Sequence, residues 1–296
     1  MIITKTPISF SLLGNGTDLI SWFSQNYGLI LNFCINKYVY VIARIKNKFE
    51  KKEIIDNEII ELVFKHFEKN KIDCSDIKID FFSDLPDNNE HKYALIFGLV
   101  KSIFSLKSIY CSNVKLISFS QEIATSIFKD KCSYSKIYAS CFGGISSTKL
   151  NKNNDISYSP LKITKEQIHF LQKRIFIYLL TENNQNNIEL NEKEKWTILR
   201  YAEDGLESLL SFDIDRFLNI VKNNFKIKHL KCTGQNSNEF INKCMFSKLE
   251  SFDLSDNLCY GIIYSKEDIE NTNLKLLKDF EAINFKFDFN GSQIIL

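Results

Sequence analysis

The chain opens with two stretches made for β-structure. Ile2–Leu13 alternates, and Leu29–Lys46 is dense in Ile, Val, Tyr and Phe. Branched and aromatic side chains suit a pleated, half-buried surface, so the first reads as a strand and the second as one or two buried strands. The turn Gly14–Asp18 (GNGTD) ends the first, and Ser21–Tyr27 reads as a short helix. The sheet therefore begins at the N-terminus, and the rest of the chain must pack on it.

Beyond Lys46 the chain mixes helix and strand signals. Asn57–Asn70 places Ile59, Ile60, Leu62, Val63 and Phe67 at helical spacing, and Asp76–Phe82 alternates like a strand. Tyr93–Leu106 reads as a buried helix, and Ser120–Asp130 as another. Ile137–Phe142 leads into the paired glycines Gly143 and Gly144. Ser157–Ile163 reads as a strand, Glu166–Arg174 as a helix and Ile175–Leu180 as a buried strand. Asn183–Asn187 is a loop. Glu192–Phe212 and Asp215–Phe225 are consecutive helices, with Asp213 and Asp215 placed to cap the second. Helices are expected again at Asn238–Leu249 and Glu267–Phe280, and strands at Leu258–Tyr264 and Ile283–Phe289. The class is α+β: an N-terminal α+β layer over 1–160 and a C-terminal α/β sandwich over 161–296.

Charge and cysteine usage narrow the function classes. With 38 basic and 36 acidic side chains the net charge is +2, and the two signs are interleaved. No field draws such a chain to nucleic acid or membrane. Its 8 cysteines include no CxxC pair, so neither a zinc ribbon nor a redox motif is expected, and no metal site is assigned. The opening lacks a small-residue cleavage site, and no apolar run has the length of a spanning helix. A cytoplasmic protein with reduced thiols is the expectation.

The opening TKTPISFSLLGNGTDLISWFSQNYGLILNFCINKYVYV resembles the first motif of the GHMP kinases, and within them the heptose-phosphate kinases. The matching positions are Pro7, Gly14, Gly16, Thr17, Asp18, Tyr27, Gly28, Asn32, Ile35 and Asn36. YASCFGG at Tyr138–Gly144, FKIKHL at Phe225–Leu230 and FKFDFNGSQII at Phe285–Ile295 come in the family's order. The resemblance implies an N-terminal domain with a left-handed βαβ crossover (the ribosomal-S5-domain-2-like arrangement) and a ferredoxin-like C-terminal domain. It also implies magnesium-assisted transfer of the ATP γ-phosphoryl group to a sugar or other small alcohol.

Phosphoryl transfer needs a glycine-lined cradle at a helix N-terminus, and a carboxylate to orient the acceptor. Between Asp84–Pro86 and the helix near Tyr93, where the family's cradle belongs, stands DNNEHKY, without glycine or serine. Asp87 and Glu90 are expected near the phosphate position. Asn88 or Asn89 reads as a helix cap, and His91 and Lys92 as an exposed pair. With Asn32, these four are the residues left to meet a nucleotide. The family's aspartate two residues before the tyrosine aligns with Lys136, read as a surface lysine. The family's C-terminal glycine loop aligns with Ser255–Tyr260, or with Thr233–Glu239, which keeps only Gly234.

The acceptor end is better kept. The resemblance assigns sugar recognition to Gly14, Gly16, Thr17 and Asp18, with Tyr138, Gly143 and Gly144 beside them; the plain alternative for GTD is a capped turn. Two readings stay open. One is a pseudokinase that binds a sugar or sugar phosphate, or partners an active relative. The other is a divergent working kinase that uses ATP and magnesium.

Overall fold

The computed structural model describes residues 1–47, 57–86, 89–152, 155–180, 190–229, 235–246, 251–255, 259–265 and 277–296. Strand β1 (Ile2–Leu13) pairs antiparallel with β2 (Gly28–Ile45) along most of its length. Their register shifts at Pro7/Ile8, where proline has no N–H to offer the ladder, and again at Ser11/Leu13. The first half of β2 pairs with β4 (Ile145–Leu150), which pairs with β5 (Ile156–Pro160). The second half pairs with β3 (Ile77–Ser83). Leu29–Lys46 is thus one strand that changes partner midway.

Helices cover this sheet. Between β1 and β2 lies α1 (Ile20–Phe23). Helix α2 (Glu58–Lys69) starts because the Asn57 side chain accepts from the Ile59 and Ile60 amides. Helix α3 (Asn89–Leu106) lies close on β1 and β2: a Cβ added at Gly98 would sit 3.1 Å from Thr6 and from Val41. Helix α4 (Asn113–Phe128) begins earlier than the sequence pattern suggests, capped by Ser112. A 3-10 turn at Lys129–Lys131 leads to α5 (Tyr134–Phe142).

The C-terminal half contains α6 (Lys165–Gln172), β6 (Ile175–Leu179), α7 (Glu192–Ser211), α8 (Ile214–His229) and α9 (Gln235–Phe246). Asp213 accepts from the Arg216 amide to cap α8. Strands β7 (Ser251–Leu254), β8 (Tyr260–Tyr264) and β9 (Glu281–Ile283) complete an antiparallel sheet in the order β7-β8-β6-β9. Numbered within this half, that order is 2-3-1-4, as the ferredoxin-like expectation requires. The helix expected over Glu267–Phe280 falls mostly outside the described residues, as does the loop Asn183–Asn187.

The closing segment departs from the expectation of one strand over Ile283–Phe289. After β9 the chain crosses back to the first sheet: the Asp288 amide donates to the Cys34 carbonyl, and β10 (Gln293–Ile294) pairs with β1. Phe285 and Phe287 pack on Phe33 of β2, while Tyr260 of β8 meets Phe10 of β1 edge-on at 5.1 Å. One hydrophobic core therefore runs through both sheets.

Candidate functional site

Gly14 and Gly28 let the Gly14–Asp18 turn lie against the start of β2. A Cβ on Gly14 would meet the Leu29 carbonyl oxygen at 2.0 Å, and one on Gly28 would meet the Thr17 carbonyl oxygen at 2.1 Å. Gly14 also holds φ +93, where a side chain is strained. The Thr17 hydroxyl donates to the Gly14 carbonyl (2.8 Å) and accepts from the Leu29 amide. The turn is locked, and it delivers Asp18 to the N-terminus of α5.

There the buried Asp18 carboxylate accepts from the Ser133 hydroxyl and from the Ser135 hydroxyl at 2.6 Å. Ser133 is the N-cap position of α5, so the positive end of the helix dipole supports the carboxylate. The Ser133 amide donates to the Tyr93 hydroxyl at 2.8 Å, tying α5 to the first turns of α3. Three elements meet here: the Gly14–Asp18 turn, the start of α3 and the start of α5. This is the junction at which the family resemblance places phosphoryl transfer.

At this junction Lys136 is not the surface lysine expected from a lysine-rich chain. Its side chain is 4% exposed, its Nζ stands 3.5 Å from Glu90 Oε1, and Glu90 is 2% exposed. The Lys136 ammonium also lies 5.7 Å from the centre of the Tyr93 ring. The spacing explains the burial: Lys136 falls on the face of α5 turned toward α3, and Glu90 in the first turn of α3 supplies the opposite charge. Glu90 is thus directed into the protein rather than toward a phosphate approaching from solvent.

The other expected nucleotide contacts are dispersed. His91 is buried near Phe81, contrary to the expectation of an exposed pair, because its turn of α3 packs on the sheet; Lys92 beside it is half-buried. Asn88 lies outside the described residues, and Asn89 begins α3. Asn32 is fully buried in β2, opposite Ser11 and Ser146, on the sheet face where Cys34 donates its thiol to Ala139 of α5. Of the C-terminal glycine-loop candidates, Gly234 and residues 256–258 lie outside the described residues. Tyr260 fills core space.

Tyr138 lies midway along α5, and Gly143 and Gly144 follow its end away from Asp18. Tyr138 stacks with Tyr158 at 6.0 Å, and the Tyr158 hydroxyl donates to the Gly143 carbonyl. The Gly144 amide and carbonyl bond to Asp288 and Cys34. A Cβ on Gly143 would come within 2.6 Å of the Gly291 amide nitrogen. These glycines fasten the return of the chain, whereas Gly14, Gly16, Thr17 and Asp18 converge at the junction. Sequence reasoning missed Ser133 and Ser135; Ser133 stands at the N-cap position of α5, but its hydroxyl goes to Asp18 rather than capping the helix, so no local signal marks it.

The junction side chains offer two carboxylates and one ammonium, with the ammonium already facing Glu90. Among the described residues no group of three or more His, Cys, Asp or Glu is placed to hold a metal ion. No described helix is long and apolar enough to cross a membrane.

No family model matches the chain. A curated relative, the D-glycero-alpha-D-manno-heptose 7-phosphate kinase of Campylobacter jejuni subsp. jejuni, is 23% identical over 220 residues; the match spans 66% of this chain and 64% of that protein. Among solved structures, a D-glycero-D-manno-heptose 1-phosphate kinase from Bacteriodes thetaiotaomicron superposes over 100% of this chain and 99% of its own, with TM-score 0.84 at 16% identity. Galactokinase from Lactococcus lactis, complexed with galactose, covers 99% of this chain and 94% of its own, with TM-score 0.71 at 9% identity. A mevalonate kinase covers 97% and 99%, with TM-score 0.64 at 14% identity. The chain has the fold of the GHMP kinases and is similar in sequence to a heptose-phosphate kinase of that family.

Proposed function

We propose that this chain is a heptose-phosphate-kinase homologue that has given up ATP chemistry and binds a sugar or sugar phosphate at its Asp18 end. The division of labour falls between β5 and α6, with 1–160 carrying the junction and 161–296 closing over it. The observation that carries the reading is the buried Lys136–Glu90 pair. A charged lysine cannot take a proton from an acceptor hydroxyl, and neither partner can leave the other without exposing an uncompensated charge. Phosphate positioning and acceptor activation would fail separately, so loss of both removes the main sources of rate.

The Asp18 end supports binding. Its locked turn and its two serine hydroxyls hold a carboxylate of the kind that reads sugar hydroxyls, and the Campylobacter relative is a heptose 7-phosphate kinase. The test is a coupled ADP-release assay with Mg·ATP and D-glycero-α-D-manno-heptose 7-phosphate. The expected result is no turnover above a no-protein control, with sugar phosphate still raising the melting temperature.

A second reading, a working kinase, has one observation behind it. The junction keeps a carboxylate, Glu90, supplied from α3 rather than α5. Under that reading the assay shows turnover, and Glu90→Gln abolishes it.

A further inference from the structure

The chain contains only two tryptophans, and they meet where α1, the helix that follows the Gly14–Asp18 turn, lies against α7. Trp22 is buried and fixed, its indole N–H donating to the Tyr27 carbonyl at 3.0 Å. Trp196, in the first turns of α7, packs edge-on against it at 5.2 Å and remains 47% exposed. Lys195 holds its ammonium 5.6 Å from the centre of the Trp22 ring. Just before α7, Leu190 comes up to Gly16, whose added Cβ would lie 3.1 Å from Leu190 Cδ1. The C-terminal half therefore contributes a large exposed indole and a cation beside the turn that carries Asp18.

We infer that Trp196 and Lys195 are the specificity-determining residues for a phosphorylated sugar, Trp196 against the ring and Lys195 against the phosphate. The inference rests on the sugar-phosphate reading above. A pyranose presents C–H groups on its faces and hydroxyls around its edge. An aromatic plane covers the first while polar groups such as Asp18 take the second, the usual division in small-ligand sites. The ammonium of Lys195 is the point charge a terminal phosphate needs, and it already stands over the Trp22 ring at the edge of this surface. Continuity with the Asp18 turn and the charge at its edge favour this occupant over a protein partner.

Because both tryptophans lie here, intrinsic fluorescence reports on this surface alone. The experiment titrates the full chain with D-glycero-α-D-manno-heptose 7-phosphate, D-mannose 6-phosphate and D-mannose, reading tryptophan emission and melting temperature together. The expected result is a blue shift with the sugar phosphates. Trp196→Ala should weaken their binding by about three- to tenfold, and Trp196→Phe should restore most of the affinity. Lys195→Met, which keeps the apolar stem, should erase the preference for phosphorylated sugar over D-mannose.

Sugar phosphate that raises the melting temperature equally in wild type and Trp196→Ala, without an emission change, would overturn this inference and leave the sugar-phosphate reading standing. Absence of any response to all three ligands would overturn both. A melting shift that survives Trp196→Ala but is lost with Asp18→Asn would place the ligand at the turn and away from α7, against the inference.

Discussion

The buried Lys136–Glu90 pair can be weighed by removing its partners singly and together. At 3.5 Å and an effective dielectric of about 20, the two charges attract by about 5 kcal/mol, which desolvation of both groups largely offsets. Removing one partner cancels the attraction but leaves the other charge buried. Lys136→Met and Glu90→Leu should therefore each cost about 3 kcal/mol, a large share of the roughly 5–15 kcal/mol that holds a domain folded. The double replacement Lys136→Met/Glu90→Leu leaves no orphan charge, so it should lie within about 1 kcal/mol of wild type. Urea unfolding measured by circular dichroism compares all four proteins, and the shift of midpoint at constant slope gives each difference. Singles that each cost less than about 1 kcal/mol and simply add in the double would refute a tightly coupled interior pair. The outcome bears on function because a pair this strongly held does not part readily to admit a triphosphate.

Gly14→Ala should destabilise the protein by more than about 2 kcal/mol, since the new Cβ meets the Leu29 carbonyl oxygen at 2.0 Å and the backbone stays at φ +93; a thermal melt unchanged from wild type would contradict the locked turn. Burial pushes the Cys74, Cys132 and Cys141 thiols up to about 12, against about 8.5 for a free thiol. A raised folded-state value means the native protein keeps protons the unfolded chain would lose. This contribution is therefore complete below pH ~8.5 and declines as pH rises through the window up to ~12, a fall that unfolding midpoints between pH ~8 and ~11 should register. Thiol alkylation at mildly alkaline pH should accordingly be slow at these three positions in the folded protein and fast in urea.

How much of the fold and site is legible in the sequence depends on whether the signal is local. Asn57–Asn70 is readable because a capping asparagine precedes a regular apolar spacing, and the resulting helix differs from that reading only at its ends. Strand β4 gives no such signal: ISSTKL looks polar, yet all of it except Lys149 is buried, because its serines and threonine lie between β2, β5 and the helical layer. Strand β7 is hidden by its shortness, with Ser251 and Asp253 interrupting a four-residue run that is buried throughout. The Gly14–Asp18 turn announces itself through its glycines, and the Leu29 and Thr17 carbonyls show why close backbone approach demands them. The junction does not. Lys136 and Glu90 are far apart in the chain, and a lysine among so many carries no mark of burial; only the packing of α5 on α3 brings the two together. Trp196 is equally silent, since its partner Trp22 belongs to the other half of the chain.

The central proposal is that the chain's own side chains keep nucleotide out of the junction, and isothermal titration of the purified protein with Mg·ATP tests it most directly. The account predicts no heat of binding and no rise in melting temperature at millimolar Mg·ATP, under conditions where a sugar phosphate does raise it. Saturable binding of Mg·ATP would contradict it: ligand at about a hundredfold over Kd should add about 2.7 kcal/mol to stability, a shift no melt would miss.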